Sequence, residues 1–245
     1  MATYREIVDK IKALHGVDAS VEDILRAMVQ DEQFGGTDWV AVFQDMTAST
    51  ARVGDGTNYT EFESTGFQLL TGSSKYWRDI DFPINQRNAA ANQPDFVTIQ
   101  GNIKAPQWAV NDYLDLEGQE LVHEWEEGTE VFWHLHLFTN GLDVTDRYVR
   151  FTVEYTWADN NMALTAAATI DSGDILIPAN TADKTMTILS IGSFVPTDGH
   201  ITAHVIPQLK RIASTGTAPT SDPWIDKLQL HIRCNSLGSR NIGTK

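Results

Sequence analysis

The stretch "YVRFTVEYTW", residues 148 to 157, alternates so regularly that it admits one secondary structure. Phe151, Val153, Tyr155 and Trp157 fall on one side of an extended chain, and Thr152, Glu154 and Thr156 on the other. A repeat of two residues marks a strand with one face in a core and the other toward water. "KLQLHIRC", residues 227 to 234, repeats the pattern, with Leu228, Leu230 and Ile232 inward and Gln229, His231 and Arg233 outward. In "EVFWHLHLF", residues 130 to 138, Val131, Trp133, Leu135 and Leu137 form the core face. Glu130, Phe132, His134, His136 and Phe138 form the other. "QELVHEWEE", "TMTILSIGSF" and "HITAHVIPQL" are further strand candidates between Gly, Pro and Asn-Asp turns. Strands in series with no helical pattern between them predict a mainly β chain, an antiparallel, jelly-roll-like β-sandwich.

The first 34 residues differ. Thr3-x-x-Glu6 reads as a capping box, followed by Ile7, Ile11 and Leu14 at helical spacing; Ser20-x-x-Asp23 opens a second unit with Ile24, Leu25 and Met28 on one stripe. Helices of about three turns do not persist undocked in water, so these apolar residues are expected to anchor the segment on something else. Residues 35 to 74, including "TASTARVGDGTNYTEFESTG", are rich in Thr, Ser and Gly and read as an extended arm carrying a few short strands. The organisation expected is a helical anchor at 1–34, an arm at 35–74 and the β-sandwich at 75–245.

Composition narrows the partners. A net charge of −15 repels phosphate, so neither nucleic acid nor an anionic membrane is an expected partner. No run reaches the roughly 18 to 20 apolar residues that span a bilayer, and the charged start "MATYREIVDKIKALHG" has no signal-peptide core, which fits synthesis in a cytoplasm. The single cysteine, Cys234, gives no internal disulfide. Acids accumulate from Asp112 to Glu130 without a Lys or Arg, whereas the last fifteen residues carry Arg233, Arg240 and Lys245 and no acid. A tail presenting Arg240 and Lys245 is thus a candidate to meet an acidic face on a neighbouring copy.

His134-x-His136 is the one stretch that looks like chemistry. Two imidazoles on one face of a strand bind a transition metal if neighbouring strands supply further ligands. "GTEVFWHLH" has the spacing Gly-x5-His-x-His and resembles the first motif of the cupins, jelly-roll barrels whose histidines and a glutamate hold a metal. The position of that glutamate is taken here by Asn140 and Gly141, and no second motif follows. The preferred expectation is therefore a metal-free subunit contact made by Phe132, His134, His136 and Phe138, with no cofactor and no catalytic residue. A cupin-type metal-dependent enzyme is the alternative. "DSGD" at 171 to 174 reads as a turn, and His123, His200, His204 and His231 read as structural. A carbohydrate-binding module is the remaining alternative, with Trp39, Trp77, Trp108, Trp125 and Trp224 as platforms, since Trp133 and Trp157 fall on core faces.

A longer resemblance runs through "YWRDIDFPIN" (76 to 85), "DLEGQELVHEWEEGTEVFWHLHLF" (115 to 138), "YVRFTVEYTWA" (148 to 158) and "LQLHIRCNSLGSR" (228 to 240). In order, these resemble a family of tailed-bacteriophage virion proteins. The matching positions are Trp77, Asp79 and Pro83, then Trp125, Glu127, Gly128, Thr129, His134 and His136. Glu154 and Tyr155 follow, and His231, Gly238, Ser239 and Arg240 close the pattern. The resemblance implies a non-enzymatic structural or decorating component of a virion, at head, neck or tail. It would be a homo-oligomer, a trimer preferred, docked on capsid or tail proteins, with a host-surface glycan as a further candidate partner.

Overall fold

A computed structural model describes residues 50–63, 67–84, 92–197 and 199–238. The anchor residues Ile7, Ile11, Leu14, Ile24, Leu25 and Met28, and the tail residues Arg240 and Lys245, lie outside the described residues. The chain divides into two units, Met1–Ser74 and Lys75–Lys245. Every strand pairing among the described residues is antiparallel.

In the first unit β1 (Thr50–Gly54), β2 (Tyr59–Glu63) and β3 (Gln68–Thr71) form a three-stranded meander. Its first turn is held by Asp55, whose Oδ1 accepts the amides of Thr57 and Asn58 at 2.7 and 2.6 Å. A short carboxylate that captures amides two and three residues on is the usual chemistry of such a turn.

The second unit contains β4 (Tyr76–Pro83), β5 (Asp95–Gln100), β6 (Ile103–Gln107), β7 (Tyr113–Asp115), β8 (Gln119–Glu120) and β9 (Val131–Phe138). After these come β10 (Arg147–Ala158), β11 (Ala168–Asp171), β12 (Ile175–Ile177), β13 (Met186–Phe194), β14 (His204–Ile212) and β15 (Trp224–Cys234). One sheet has the order β11-β10-β14-β7, with β12 also on β10 and β8 on β14; the other has β13-β9-β15-β6-β5, with β4 on β15. Their inner faces share one core, a jelly-roll-like β-sandwich. Trp133, Leu135 and Leu137 of β9 and Leu228, Leu230 and Ile232 of β15 are buried with Phe151 and Val153 of β10 and Leu209 of β14. Trp133 also reaches Tyr155 of the opposite sheet, ring centroids 6.3 Å apart. Each such side chain contributes about 1.5–3 kcal/mol when fully buried, which fixes the faces of the strands that carry it. Three proposed sugar platforms are ruled out by the same core: Trp108 and Trp125 are fully buried and Trp224 nearly so, while Trp77 is 49% exposed. Trp39 lies outside the described residues.

One irregularity matters for the outer face. Between Ile225 and Lys227 the register of β15 against β9 shifts by a residue. Side chains in a strand alternate, so an inserted residue exchanges the faces of everything beyond it. Ile225, opposite Leu137, thus stays in the core while Gln229 and His231 come to lie on the same side as His134.

The acidic stretch is engaged within the chain. Glu126 Oε1 accepts from Lys75 Nζ at 2.6 Å and Glu126 Oε2 pairs with Arg233 Nε at 2.6 Å. Glu124 Oε1 accepts from Arg78 at 2.7 Å, and Glu127 accepts the amide of Ile201 at 2.9 Å. Among the described residues no helix is long and apolar enough to cross a membrane.

Candidate metal centre

Three adjacent strands build the site. On the outer face His134 of β9 stands opposite Gln229 of β15, which stands opposite Asp81 of β4. One step along the strands, Phe132 stands opposite His231, which stands opposite Asp79. Directly opposed side chains on a sheet are about 4.5–5.5 Å apart at Cβ, and diagonal neighbours remain within reach of long side chains. His134 and His231 are such a diagonal pair, ring centroids 5.8 Å apart. Asp79 reaches both.

His231 Nδ1 donates to Asp79 Oδ1 at 2.6 Å, and His134 Nε2 lies 3.8 Å from the same oxygen. One ligand-type atom from each of Asp79, His134 and His231 lies within 4.8 Å of the other two. Ligands 2.0–2.1 Å from a tetrahedral ion sit about 3.3 Å from one another, so modest side-chain movements bring this set onto one ion. His134 Nε2 also faces Gln229 Oε1 at 2.8 Å, and Gln229 Nε2 donates to Asp81 Oδ1 at 2.5 Å. Trp77 lies flat on His231 (4.7 Å, 5° between planes) and meets Phe132 edge-on at 5.8 Å. The stack fixes the His231 ring and makes an aromatic wall beside the donors.

Burial pushes His134 below the ordinary imidazole range. The Gln229 hydrogen bond and the Asp79 charge pull the other way, and His136 and His231 add to the lowering. A neutral imidazole is the form that ligates metal. His134 is the sheltered member of the set, 15% exposed at the side chain, whereas His231 and Asp79 are 37% and 40% exposed. Two imidazoles and one carboxylate open to solvent on one side form a donor set of the type that leaves coordination positions for water or substrate.

The expectation of a chain with no enzymatic role is corrected by this cluster, a feature suggestive of a catalytic or metal-binding site. Spacing in the chain pairs His134 with its near neighbour His136 and leaves His231 as a structural residue. Strand register instead brings His134 to Asp79 and His231, which are remote in the chain. His136 stays outside the cluster, its ring 5.7 Å from that of His134 and its backbone opposite Ile188 and Lys227. Phe132, His134, His136 and Phe138 are all half-buried on the outer face. The signal available in advance was the outward alternation of Gln229 and His231 in "KLQLHIRC"; what was missing was which strands pair.

No protein-family model matches the chain, and no curated protein matches it by sequence. A solved structure of infectious bursal disease virus, Gx strain, aligns over 72% of this chain and 36% of that one, at 9% identity and a TM-score of 0.34. One of the Gt strain aligns over 81% and 51%, at 9% identity and a TM-score of 0.30. The chain therefore spans between about a third and about half the length of the solved chains it matches.

Proposed function

We propose that this chain is a metal-dependent jelly-roll enzyme. Asp79, His134 and His231 hold one divalent transition-metal ion, and its solvent-facing positions take a water or a substrate oxygen. The observation that carries the reading is the convergence of three ligand-type atoms within 4.8 Å on three hydrogen-bonded strands. An ion so held acts as a Lewis acid toward a bound carbonyl or phosphoryl oxygen, or lowers the pKa of bound water. Trp77 and Phe132 give a substrate an apolar surface beside the ion. The centre is like a cupin's in jelly-roll fold and imidazole–carboxylate chemistry. It differs in drawing its ligands from β4, β9 and β15, and in omitting His136. Elemental analysis of the purified chain and titration with Zn²⁺, Mn²⁺ and Fe²⁺ after chelation test the proposal. One ion per chain, lost on Asp79→Ala, supports it; no binding by the wild type overturns it.

A second reading rests on the resemblance to tailed-bacteriophage virion proteins, whose matching stretches contain Asp79, His134 and His231 themselves. In it the chain is a structural or decorating virion component, a homo-oligomer with trimers preferred, docked on capsid or tail proteins. The half-buried Phe132 and Phe138 would then lie in a contact between copies. Sedimentation separates the readings: a stable oligomer that binds no metal favours the particle component, and a metal-loaded monomer favours the enzyme.

A further inference from the structure

Gln229 lies in the middle of the outer face, opposite His134 on one side and Asp81 on the other, and is 5% exposed. A buried amide has a donor end and an acceptor end, and both directions are set here. The Asp81 carboxylate accepts, so the amide nitrogen faces it and donates at 2.5 Å. Lys227 Nζ, 3.6 Å from the same carboxylate, adds a cation beside it. The amide oxygen therefore faces His134, 2.8 Å from Nε2. Reversing the amide would set its oxygen against a carboxylate, which is electrostatically unfavourable.

With no ion bound, His134 Nε2 carries the proton and donates it to Gln229 Oε1. An ion at Nε2 takes the place of that proton. Oε1 then loses its donor while its lone pair stays directed at the space in front of Nε2. At 2.8 Å Oε1 now occupies the place that an ion on the Nε2 lone pair would take, so loading moves the amide sideways until the two donors stand about 2.9–3.4 Å apart around bonds of 2.0–2.1 Å. We infer that Gln229 Oε1 is the fourth protein donor of the centre, held inward by Asp81. This rests on the metal-binding reading proposed above and extends it. The shell becomes two imidazole nitrogens, one carboxylate oxygen and one neutral amide oxygen. Carbonyl and carboxylate oxygens suit Mn²⁺ more than they suit Zn²⁺, which imidazoles alone satisfy well. Gln229 thus widens the range of ions toward the harder end.

The test is calorimetric titration of the full chain with Zn²⁺ and with Mn²⁺, together with the visible spectrum of the Co²⁺-loaded protein. Gln229→Leu is expected to weaken Mn²⁺ binding by about 10- to 100-fold, less than the loss of an imidazole or carboxylate because a neutral amide oxygen is the weakest donor of the four, and Zn²⁺ binding by less again. Its Co²⁺ spectrum should change, because the number of donors changes. Gln229→Glu restores an oxygen and should recover Mn²⁺ binding, and Asp81→Asn, which frees the amide to turn, should fall between. If Gln229→Leu does not fold, the Asp81→Asn and Gln229→Glu variants decide the matter by the same readouts. A wild type that binds while every variant keeps both affinities and the same Co²⁺ spectrum overturns the role of Gln229 alone. A wild type that binds neither ion overturns the metal reading and this inference together.

Discussion

His231 Nδ1 donates to Asp79 Oδ1 at 2.6 Å, and His200 Nδ1 donates to Asp159 Oδ2 at the same distance. Their surroundings separate these two carboxylate–imidazole pairs. Asp159 is nearly buried, 7% exposed at its side chain. Its oxygens also accept the backbone amides of Asn160 at 2.6 Å and His200 at 3.2 Å. It clasps the segment before β14 to the end of β10. Asp79 sits on a strand, 40% exposed, and the oxygen that takes His231 also faces His134 at 3.8 Å. A short Asp–His contact is therefore not what makes a ligand set. A second imidazole directed at the same carboxylate oxygen is, and among the described residues Asp79, with His134 and His231, has it.

Metal affinity should separate the two pairs most strongly. Asp79→Ala, His134→Ala and His231→Ala each remove an imidazole or carboxylate donor outright and should cost at least about 100-fold, beyond the range typical of supporting groups. Asp159→Asn and His200→Ala should leave the affinity unchanged in the same titration. A comparable loss on either side would erase the distinction.

On stability the order reverses. In chelator, Asp159→Asn turns one of two buried acceptor oxygens into an amide nitrogen, leaves either the Asn160 amide or the His200 amide and ring without an acceptor, and should cost about 1–3 kcal/mol in urea unfolding. Asp79→Asn breaks an exposed pair and should cost at most about 1 kcal/mol. Equal losses would mean that both carboxylates serve the fold alike.

The smallest effect is a pH dependence. Burial raises the Asp159 carboxyl, but the His200 side chain, the Asn160 and His200 amides and the His200 charge together bring it below the ordinary range. A carboxyl depressed in the folded state contributes stability that is present above the unfolded value of about 3.9 and lost as pH falls through the folded value. Metal-free wild type should therefore lose stability below about pH 4 more steeply than Asp159→Asn. Parallel acid limbs would remove Asp159 from that account.

Most of the sandwich was legible because burial acts strand by strand. The alternation in "YVRFTVEYTW", "KLQLHIRC" and "EVFWHLHLF" needs no partner strand to be read, and Phe151, Leu230 and Trp133 are buried on the faces it assigned. The site was legible only in fragments. His134 was singled out from an apolar run, and His231 and Gln229 were placed outward. What joins them to Asp79 is the pairing of β15 with both β9 and β4, together with the one-residue shift at Ile225/Lys227. Neither is a property of a single strand, so residues far apart in the chain gave no common signal. Proximity in sequence drew attention to His136 instead, and the three tryptophans offered as platforms look no different from Trp77 until the core is assembled.

The most direct test of the centre is to follow the imidazole nitrogens of all seven histidines by ¹H–¹⁵N correlation while Zn²⁺ is added to the chelated wild-type chain. The Nε2 resonance of His134 and the Nδ1 resonance of His231 should shift together and saturate at one ion per chain. Those of His200 should stay where they were. A response shared by all the histidines, or one in which His136 saturates and His231 does not move, would contradict the assignment of Asp79, His134 and His231 as the metal ligands.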